Sequence, residues 1–341
     1  MSLDKKFFNR DTNISAKVIC DSINEQGVRL TTFEIEYPRF ILAELNTHRQ
    51  LSRNSSSSRA IPIKKMLSTI DDNMAVPVYW GKAKSGMQAD GEVNEDDVWW
   101  YREKWEFAYD EVSYRVKQLS DLVEGKEGFM KALHKQIPNR LIEPFQMMKT
   151  VITGTDWDNF FNLRLHPDSQ PEICMLAYKM YVAMQESSPN LLHSEEYHTP
   201  YVKSLRDSTG SLFYFDADDN YLTLSDAIKI SAASCASVSY RTEGMTLEKA
   251  EKIFDMLIKA EVVHSSPFEH LATPVKPKYS ELGCVRVNCS EPQSWEEGVT
   301  HINKQGELCS GNFRGFISYR HLLSNNTCWE YDHQERMRLF N

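Results

Sequence analysis

The sequence predicts both strands and long helices, the mixture found in an α+β fold. Two neighbouring segments, 16–23 and 28–37, are rich in β-branched and aromatic residues, and the turn sequence NEQG separates them. Residues 95–133 instead carry tryptophan and tyrosine at helical spacing. The first pattern predicts two strands joined by a turn, and the second predicts one or more amphipathic helices packed through their aromatic residues.

The segment between these regions predicts a helix followed by a loop. Residues 38–52 place apolar side chains at helical spacing, and the pattern ends at Ser52. His48 and Ser52 then lie near the buried stripe, where they need polar partners. Four serines, 55–58, begin the loop. Residues 70–95 are rich in glycine, aspartate and lysine and are interpreted as an excursion or flap.

The next dense segment, residues 156–185, predicts two helices interrupted by LHPDSQ. Asp156 is expected to cap the first helix, which carries Asn159 and Arg164.

Further helices are predicted after residue 224, and residues 311–323 predict a strand followed by a helix. We therefore divide the chain into residues 1–204 and 205–341, interpreted as two parts of one functional unit.

Composition limits the classes of function. The chain has a formal net charge of −9 with 41% hydrophobic and 26% charged residues, so a large basic surface for a nucleic-acid polymer is not predicted, and a free nucleotide is the better ligand. Seven cysteines occur without a Cys-x-x-Cys pair. No secretory signal and no apolar run of about 18 residues is recognised, which predicts a reduced, cytoplasmic protein without a membrane partner.

Familiar catalytic motifs are missing from the sequence. It contains no Gly-x-Ser-x-Gly elbow, His-Glu-x-x-His, Walker loop or Gly-x-Gly-x-x-Gly fingerprint, so neither a metal site nor a Rossmann site is predicted. Residues 49–59 nevertheless combine serine hydroxyls, backbone amides and three arginines, groups that can hold an anion. A solvated Ser/Arg loop is the open alternative on composition alone.

Spacing adds a family resemblance. From His48 to Arg59 the sequence reads His-Arg-x-x-Ser-x-Asn-x-x-Ser-x-Arg, which is similar to the signature Arg-His-Arg-x-x-Ser-x-Asn-x-x-Ser-x-Arg of the flavin-dependent thymidylate synthases, the ThyX family. Arg164 followed by Gln-Pro-Glu-Ile at 170–173 resembles the substrate-contacting helix of that family. NRLIEPFQ, through Arg140 and Pro144, resembles the segment before it. ASVSY (236–240) and HSSPFEH (264–270) resemble its flavin-contacting segments.

Two features depart from the family pattern. The ASVSY and HSSPFEH segments follow the arginine-serine motif instead of preceding it, an order that resembles a longer branch, frequent in bacteriophages, with an Asn-Phe-Arg-Gly segment such as the one at 312–315. In addition, Thr47 stands at the family's leading arginine and Ser55 at its acidic position. The fold implied by the resemblance is a twisted, mostly antiparallel sheet flanked by long helices, in a homotetramer with shared active sites.

The resemblance implies a flavoenzyme. Members of the family transfer a one-carbon unit from methylenetetrahydrofolate to C5 of dUMP, with FAD reduced by NADPH and no cysteine nucleophile. Arg164 takes the catalytic position, stabilising charge on the pyrimidine. The implied substrate-binding residues, with Ser56 and Ser58 acting through backbone amides, are Glu44, Ser56, Ser57, Ser58, Arg59, Arg140 and Arg164.

The implied FAD-binding residues come from both parts of the chain, and the last four would reach the flavin of a neighbouring subunit. They are His48, Arg49, Ser52, Asn54, Asn159, Ser239, His264, Ser266 and Glu269.

Several alternatives stay open from the sequence. The loss of the leading arginine at Thr47 is compatible with a flavin-dependent hydroxymethylase of dCMP or dUMP. A non-catalytic protein that binds nucleotides or single strands is the alternative from another class. For single residues, Arg164 could be a structural partner of Glu172, and Ser52 and Asn54 could be helix-end caps.

Overall fold

The computed structural model describes residues 5–120, 133–239, 244–259, 263–276 and 295–328, together with 279–280, 283–284 and the single positions 330, 332, 334 and 337. A five-stranded sheet carries the main core. Its strands are β1 (Ser15–Asn24), β2 (Arg29–Pro38), β3 (Ser52–Ser55), β4 (Met147–Gly154) and β5 (Asn190–Leu192). They lie in the order β3-β4-β2-β1-β5, and only the β1–β5 pair is parallel. The predicted α+β class, the mostly antiparallel sheet and the first two strands are confirmed.

The described helices come from both the N-terminal and the C-terminal part of the chain. They are α1 (Lys5–Phe8), α2 (Leu42–Leu45), α3 (Ile63–Asp72), α4 (Glu95–Leu119), α5 (Pro138–Leu141), α6 (Asp158–Arg164), α7 (Pro171–Glu186), α8 (Leu224–Ala236) and α9 (Leu247–Ile258). Short 3₁₀ helices cover Arg39–Ile41, Glu143–Phe145, Ser266–His270 and Tyr319–Leu322. No helix in the described part of the chain is long and apolar enough to cross a membrane.

The core forms where α7 packs on β2. Phe33 and Tyr37 of β2 and Ile173 and Leu176 of α7 are fully buried in one cluster, and each such side chain stabilises the fold by about 1.5–3 kcal/mol. The cluster also includes Phe160 of α6. This packing holds α6 against the sheet, next to the end of α2.

The helix predicted for residues 38–52 is shorter than expected. A 3₁₀ turn and α2 end at Leu45, and residues 52–55 form β3, which pairs antiparallel with β4. The pairing partners lie about a hundred positions away in the sequence, so local periodicity does not reveal them. Ser52 and Asn54 are therefore strand residues, and their interpretation as helix caps is wrong.

Two other local predictions need correction. Asp156 does not cap α6, because α6 begins at Asp158 without a side-chain cap. The Asp156 carboxylate instead accepts hydrogen bonds from Thr155 Oγ1 at 2.8 Å and from Arg314 Nε at 3.2 Å.

The aromatic residues of α4 are only partly core residues. Tyr109 is buried and Trp105 packs partly buried against the same cluster, whereas Trp100 and Phe107 are exposed.

The remaining strands form small sheets in the second half of the chain. They are β6 (Lys203–Arg206), β7 (Leu212–Phe215) and β8 (Tyr221–Leu222) in one sheet, β9 (Ala272–Pro274), β10 (Tyr279–Ser280) paired with β11 (Gly283–Cys284), and β12 (His301–Ile302), β13 (Leu308–Ser310) and β14 (Phe313–Arg314) in another; β15 (Phe316–Ser318) pairs with β9. The strand-then-helix prediction for 311–323 thus becomes two short strands and a 3₁₀ helix.

The turn at Gly315 fixes this C-terminal segment to the main sheet. Gly315 has a φ of +68°, and its carbonyl oxygen accepts a hydrogen bond from Asn24 Nδ2 at 2.9 Å. A Cβ at this position would lie 2.9 Å from Asn24 Nδ2 and 3.2 Å from Val28 Cγ2. Only glycine combines this backbone conformation with so close an approach.

We expect Gly315→Ala to lower the free energy of unfolding by about 2–4 kcal/mol, since it adds a clash to the cost of a positive φ. Gly306→Ala is the matched control, because Gly306 has a φ of +79° and no atom within 4 Å of its hypothetical Cβ. Urea unfolding followed by circular dichroism measures both variants. Equal losses in the two would mean that the contact with Asn24 contributes nothing.

A chain of buried polar groups crosses the sheet. His198 Nδ1 lies 2.8 Å from Ser22 Oγ, and its Nε2 lies 2.7 Å from Thr32 Oγ1. Thr32 Oγ1 lies 2.7 Å from Thr153 Oγ1, which lies 2.7 Å from His270 Nδ1. These groups join β1, β2 and β4 to the HSSPFEH segment.

Candidate active site

Arg164 is the centre of a cluster built on α6 and the residues around the end of α2. Its Nη1 donates to the Glu44 carboxylate, its Nε donates to His48 Nε2 at 2.7 Å, and its Nη2 donates to Thr47 Oγ1 at 3.1 Å. The Arg164 side chain is only 16% exposed. Three contacts from one short segment fix the plane and direction of the guanidinium.

His48 is held as a neutral ring. Burial, together with the positive charges of Arg164 and Arg53, lowers its pKa to about 4. Because a guanidinium only donates, His48 Nε2 is the acceptor and its proton lies on Nδ1. His48 also packs edge-on against Phe160, with ring centroids 4.9 Å apart. The predicted burial and polar partner of His48 are both present.

Thr47, at the family's arginine position, is part of the cluster. Its hydroxyl donates to the Glu44 carbonyl oxygen at 2.7 Å and accepts from Arg164. The alternative partner of Arg164, Glu172, instead accepts from the Val78 amide at 2.9 Å, so that structural interpretation is wrong. The presence of Thr47 therefore gives Arg164 a hydroxyl neighbour in place of a second guanidinium.

Arg53 stabilises the segment that carries this cluster. Its Nη1 donates to the carbonyl oxygens of Leu45 and His48, at 3.0 and 2.8 Å. Arg53 also lines the cavity described next, so one side chain joins the Arg164 cluster to the serine segment.

The serine segment lines a cavity of about 600 Å³ on the other side of α2. Four arginines line it together with a row of serine hydroxyl groups. The lining residues are Arg39, Leu42, Asn46, Arg53, Ser55, Ser56, Ser57, Ser58, Arg59, Arg140 and Met148. Arginines and hydroxyl groups are the donors that a phosphate monoester needs.

The predicted use of the Ser56 backbone amide is wrong. That amide donates to the Lys149 carbonyl oxygen at 2.9 Å and continues the pairing of β3 with β4. The Ser57 amide donates to Ser239 Oγ at 2.8 Å. Side-chain hydroxyls and guanidinium groups, rather than these amides, are thus the donors facing the cavity.

The structure also identifies residues that the motif does not contain. Arg39 lines the cavity, and its Nη2 lies 2.9 Å from Glu143 Oε1. Asn312 Nδ2 donates to Ser52 Oγ at 3.2 Å. Arg39 directly follows Pro38, at which the helix was predicted to begin, a signal that could have marked it. Asn312 begins the Asn-Phe-Arg-Gly segment noted in the sequence, but that segment was not assigned to the site.

The second half of the chain reaches the motif at several points. Asn54 Nδ2 donates to the Cys235 carbonyl oxygen at 3.2 Å, and Ser239 contacts Ser57. Tyr240, the last residue of ASVSY, lies outside the described residues. The contact of Ser239 with the serine segment is made within one chain.

The HSSPFEH segment forms a 3₁₀ turn next to β3. His264 and Ser266 are exposed, whereas Glu269 forms an ion pair with Arg320. The turn is thereby tied to the C-terminal segment. His264, Ser266 and Glu269 are not among the residues that line the cavities around His48 and the serine segment.

A cavity beside Arg164 brings together three predicted flavin residues. It has a volume of about 370 Å³, with Phe160 and Leu163 as apolar wall and His48, Arg49, Gln50 and Asn159 as polar lining. A second cavity of about 970 Å³ adjoins it through Gln50, Asp156 and Asn159. The apolar wall, the two amides and the Arg49 guanidinium fit a flavin ring and its phosphates, and the Asp156 carboxylate also lines both cavities.

Three of the described cysteines have thiols whose pKa burial raises. Burial raises the pKa of Cys20 to about 12 and that of Cys174 to about 11, and Cys235 is fully buried. A thiolate nucleophile is therefore disfavoured at these three positions.

Comparisons with known proteins agree with the motif. Residues 28–190 match the family model Thy1, described as thymidylate synthase complementing protein. No functionally curated protein matches the chain.

Two solved structures of a UMP/dUMP methylase, PolB from Streptomyces cacaoi, are similar to part of the chain. The structure with 5-Br UMP is 17% identical to this chain with a TM-score of 0.43, and the aligned region covers 52% of this chain and 90% of the PolB chain. The structure with 5-Br dUMP is 16% identical with a TM-score of 0.40, and it covers 52% and 91%.

The region that matches the family model contains the arginine-serine motif, the Arg140 segment and the Arg164 helix, which are the parts that form the cluster and the serine cavity. Residues 28–190 thus match the model of the flavin-dependent thymidylate synthase family, the family that the motif resembles.

Proposed function

We propose that this protein is an FAD-dependent thymidylate synthase, which transfers a one-carbon unit from methylenetetrahydrofolate to C5 of dUMP with reduction by NADPH through FAD. One observation carries the proposal. The Arg164 guanidinium is fixed by Glu44, His48 and Thr47, and the same α2 segment lines the cavity rich in serine and arginine through Leu42 and Asn46.

Arg164 has the properties that pyrimidine activation needs. C5 of uracil becomes nucleophilic when negative charge builds up on the ring carbonyls, and a preorganised guanidinium stabilises that charge. His48 accepts from Arg164 as a neutral ring, so it orients the guanidinium without cancelling its charge. Glu44 forms an ion pair with Arg164 from the other side, which orients the guanidinium and offsets part of its charge, at the position proposed to contact the base.

The serine cavity is the proposed site of the nucleotide phosphate. Arg59 and Arg140 supply guanidinium groups, and the hydroxyls of Ser56 and Ser57 supply further donors at the cavity wall, whereas the Ser58 hydroxyl donates to Glu143. Arg39 supplies a further guanidinium group that the motif lacks. A phosphate monoester held there would fix the nucleotide relative to Arg164.

The proposed flavin residues are those of the cavity beside Arg164, together with Ser52 and Asn54. His48, Arg49 and Asn159 would hold the ring and phosphates of FAD, and bound reduced FAD would supply the electrons that turn the one-carbon unit into a methyl group. We also propose a cytoplasmic homotetramer, in which His264, Ser266 and Glu269 reach a neighbouring subunit's flavin. Ser239 would contribute from the same chain, because it contacts Ser57.

The reaction is tested with purified protein. It should be yellow or take up FAD, and it should release tritium from [5-³H]dUMP when NADPH and methylenetetrahydrofolate are both present. Omitting either co-substrate should stop the release. A colourless protein that cannot be reconstituted with FAD would refute the proposal.

Arg59→Ala is expected to raise the dissociation constant for dUMP about 10–100-fold, because it removes a charge-assisted contact with the phosphate. Isothermal titration calorimetry measures the effect. Arg102→Ala is the control, since it removes an arginine from the exposed face of α4. An unchanged dissociation constant for the Arg59 variant would place the phosphate elsewhere.

A second candidate function follows from Thr47. Its hydroxyl takes the place of a guanidinium beside Arg164, which would leave space for water to capture the methylene or for a cytosine ring. The product would then be a hydroxymethylpyrimidine nucleotide. Mass spectrometry of products formed from dUMP and from dCMP separates the two reactions, and thymidylate alone would exclude the hydroxymethylase.

A further inference from the structure

Glu143 places a carboxylate against the arginines of the serine cavity. Its Oε1 lies 2.9 Å from Arg39 Nη2 and 3.3 Å from Arg140 Nη1, and it accepts from Ser58 Oγ at 3.2 Å. The Glu143 side chain is 23% exposed, and it lies in the 3₁₀ helix directly after α5. One carboxylate oxygen therefore contacts two of the cavity's arginines and its serine wall.

The charge of the cavity depends on this contact. Arg39, Arg53, Arg59 and Arg140 line the cavity, and none of the described lining residues is acidic. Glu143, just behind the wall, neutralises one of these four charges. The Asn139 side chain fixes the same wall, since its Nδ2 donates to the Ser58 carbonyl oxygen at 2.8 Å.

Size does not select the ligand of this cavity. A volume of about 600 Å³ is larger than a phosphate group needs, so a longer phosphate chain is not excluded by volume. Four arginines without a carboxylate would attract such a chain strongly, because each added negative charge adds Coulombic attraction. A fixed carboxylate adds a repulsion that also grows with the charge of the ligand.

We propose that Glu143 is a specificity-determining residue that matches the cavity to a phosphate monoester and disfavours di- and triphosphates. Its contacts with Arg39, Arg140 and Ser58 hold these side chains in place, and its negative charge repels an anion in the cavity. A monoester dianion is repelled least, whereas a triphosphate with about four negative charges is repelled most. The proposal rests on the proposed function only in taking this cavity as the phosphate site.

The test uses the full-length protein and inorganic anions. Dissociation constants for phosphate, pyrophosphate and tripolyphosphate are measured by isothermal titration calorimetry at one ionic strength. We expect the wild type to bind tripolyphosphate no more than a few-fold more tightly than phosphate. In Glu143→Gln, which keeps the shape of the side chain, tripolyphosphate binding should improve about tenfold more than phosphate binding.

Two further variants separate charge from shape. Glu143→Asp keeps the charge and should keep the preference of the wild type. Glu103→Gln makes the same change of charge on the exposed surface of α4 and should change none of the three constants by more than about twofold.

Three results would overturn the proposal. They are wild-type protein that already binds tripolyphosphate far more tightly than phosphate, equal improvement for all three anions in Glu143→Gln, or loss of binding for all three. Loss of binding counts only if circular dichroism shows that the glutamine variant is folded; if it is not folded, the wild-type preference and the Glu143→Asp variant still test the proposal. The two proposals can fail separately. If the three anions bind as expected in the wild type and in Glu143→Gln but the wild type does not turn over dUMP, the role of Glu143 is supported and the proposed reaction is refuted.

Discussion

Arg164→Lys is expected to lower the turnover number with dUMP by about 10²–10³-fold, the usual loss when one preorganised donor to developing charge is removed. Lysine keeps the positive charge but cannot reproduce the planar fork that reaches Glu44, His48 and Thr47 together. The ammonium group would satisfy one of these partners and leave the others without their donor. The charge would then be neither fixed in direction nor held against the pyrimidine.

The measurement is initial-rate tritium release at saturating dUMP, with flavin content determined from the absorption spectrum of each preparation. A structural role alone would lower thermal stability and flavin content together with turnover. We expect flavin content within about twofold of the wild type, because Arg49 and Asn159 remain in the neighbouring cavity. Arg102→Lys on α4 serves as the conservative control, and a turnover of Arg164→Lys within threefold of wild type would remove Arg164 from the chemistry.

The sequence predicted the residues of this cluster better than its backbone. The resemblance to the family named His48 and Arg164, because it depends on residue types at fixed intervals, which is a local property. The strand at 52–55 was missed, since β3 exists only through pairing with β4, and such long-range contacts override local periodicity. The same reason explains why Ser56 was assigned a free amide that in fact belongs to the sheet.

The contacts of residues outside the motif could not be predicted from local patterns. Arg39 and Glu143 meet at the serine cavity although about a hundred residues separate them in the sequence. Asn312 reaches Ser52 from the far end of the described chain. These contacts depend on how the C-terminal segment and the 3₁₀ helix after α5 are placed, which only the folded structure establishes. The sequence therefore predicted the serines, Arg59 and Arg140 of the cavity, but it did not predict Arg39 or the carboxylate of Glu143.

Acidification is expected to destabilise the protein steeply, through His198 and His270. Both rings are completely buried, and burial lowers the pKa of each to about 3, compared with about 6.5 in an unfolded chain. Between these values the unfolded chain binds two protons that the folded chain does not. The contribution of the two neutral histidines is complete above pH 6.5, and it is lost as the pH falls from about 6.5 towards 3.

The size of the effect follows from the number of protons. Each histidine changes the free energy of unfolding by up to about 1.4 kcal/mol per pH unit, so the pair contributes up to about 3 kcal/mol per unit near pH 5. Urea unfolding at intervals between pH 5 and pH 7.5 measures the slope. His270→Gln should reduce it by about 1.4 kcal/mol per unit, whatever its effect on stability at pH 7.5, whereas His166→Gln, at an exposed position, should leave it unchanged.

Protonation of His198 or His270 is expected to disrupt the hydrogen-bonded chain that joins the sheet to the HSSPFEH turn. His198 and His270 are linked through the hydroxyls of Thr32 and Thr153. Protonating one ring adds an N–H donor to this chain, in which each hydroxyl already has its hydrogen-bond partners. Failure of that chain would detach the HSSPFEH turn from β4, next to the strand that carries Ser52 and Asn54. Flavin release is therefore expected to accompany the loss of stability below pH 6, and retention of flavin through a steep fall in stability would show that the turn does not hold the cofactor.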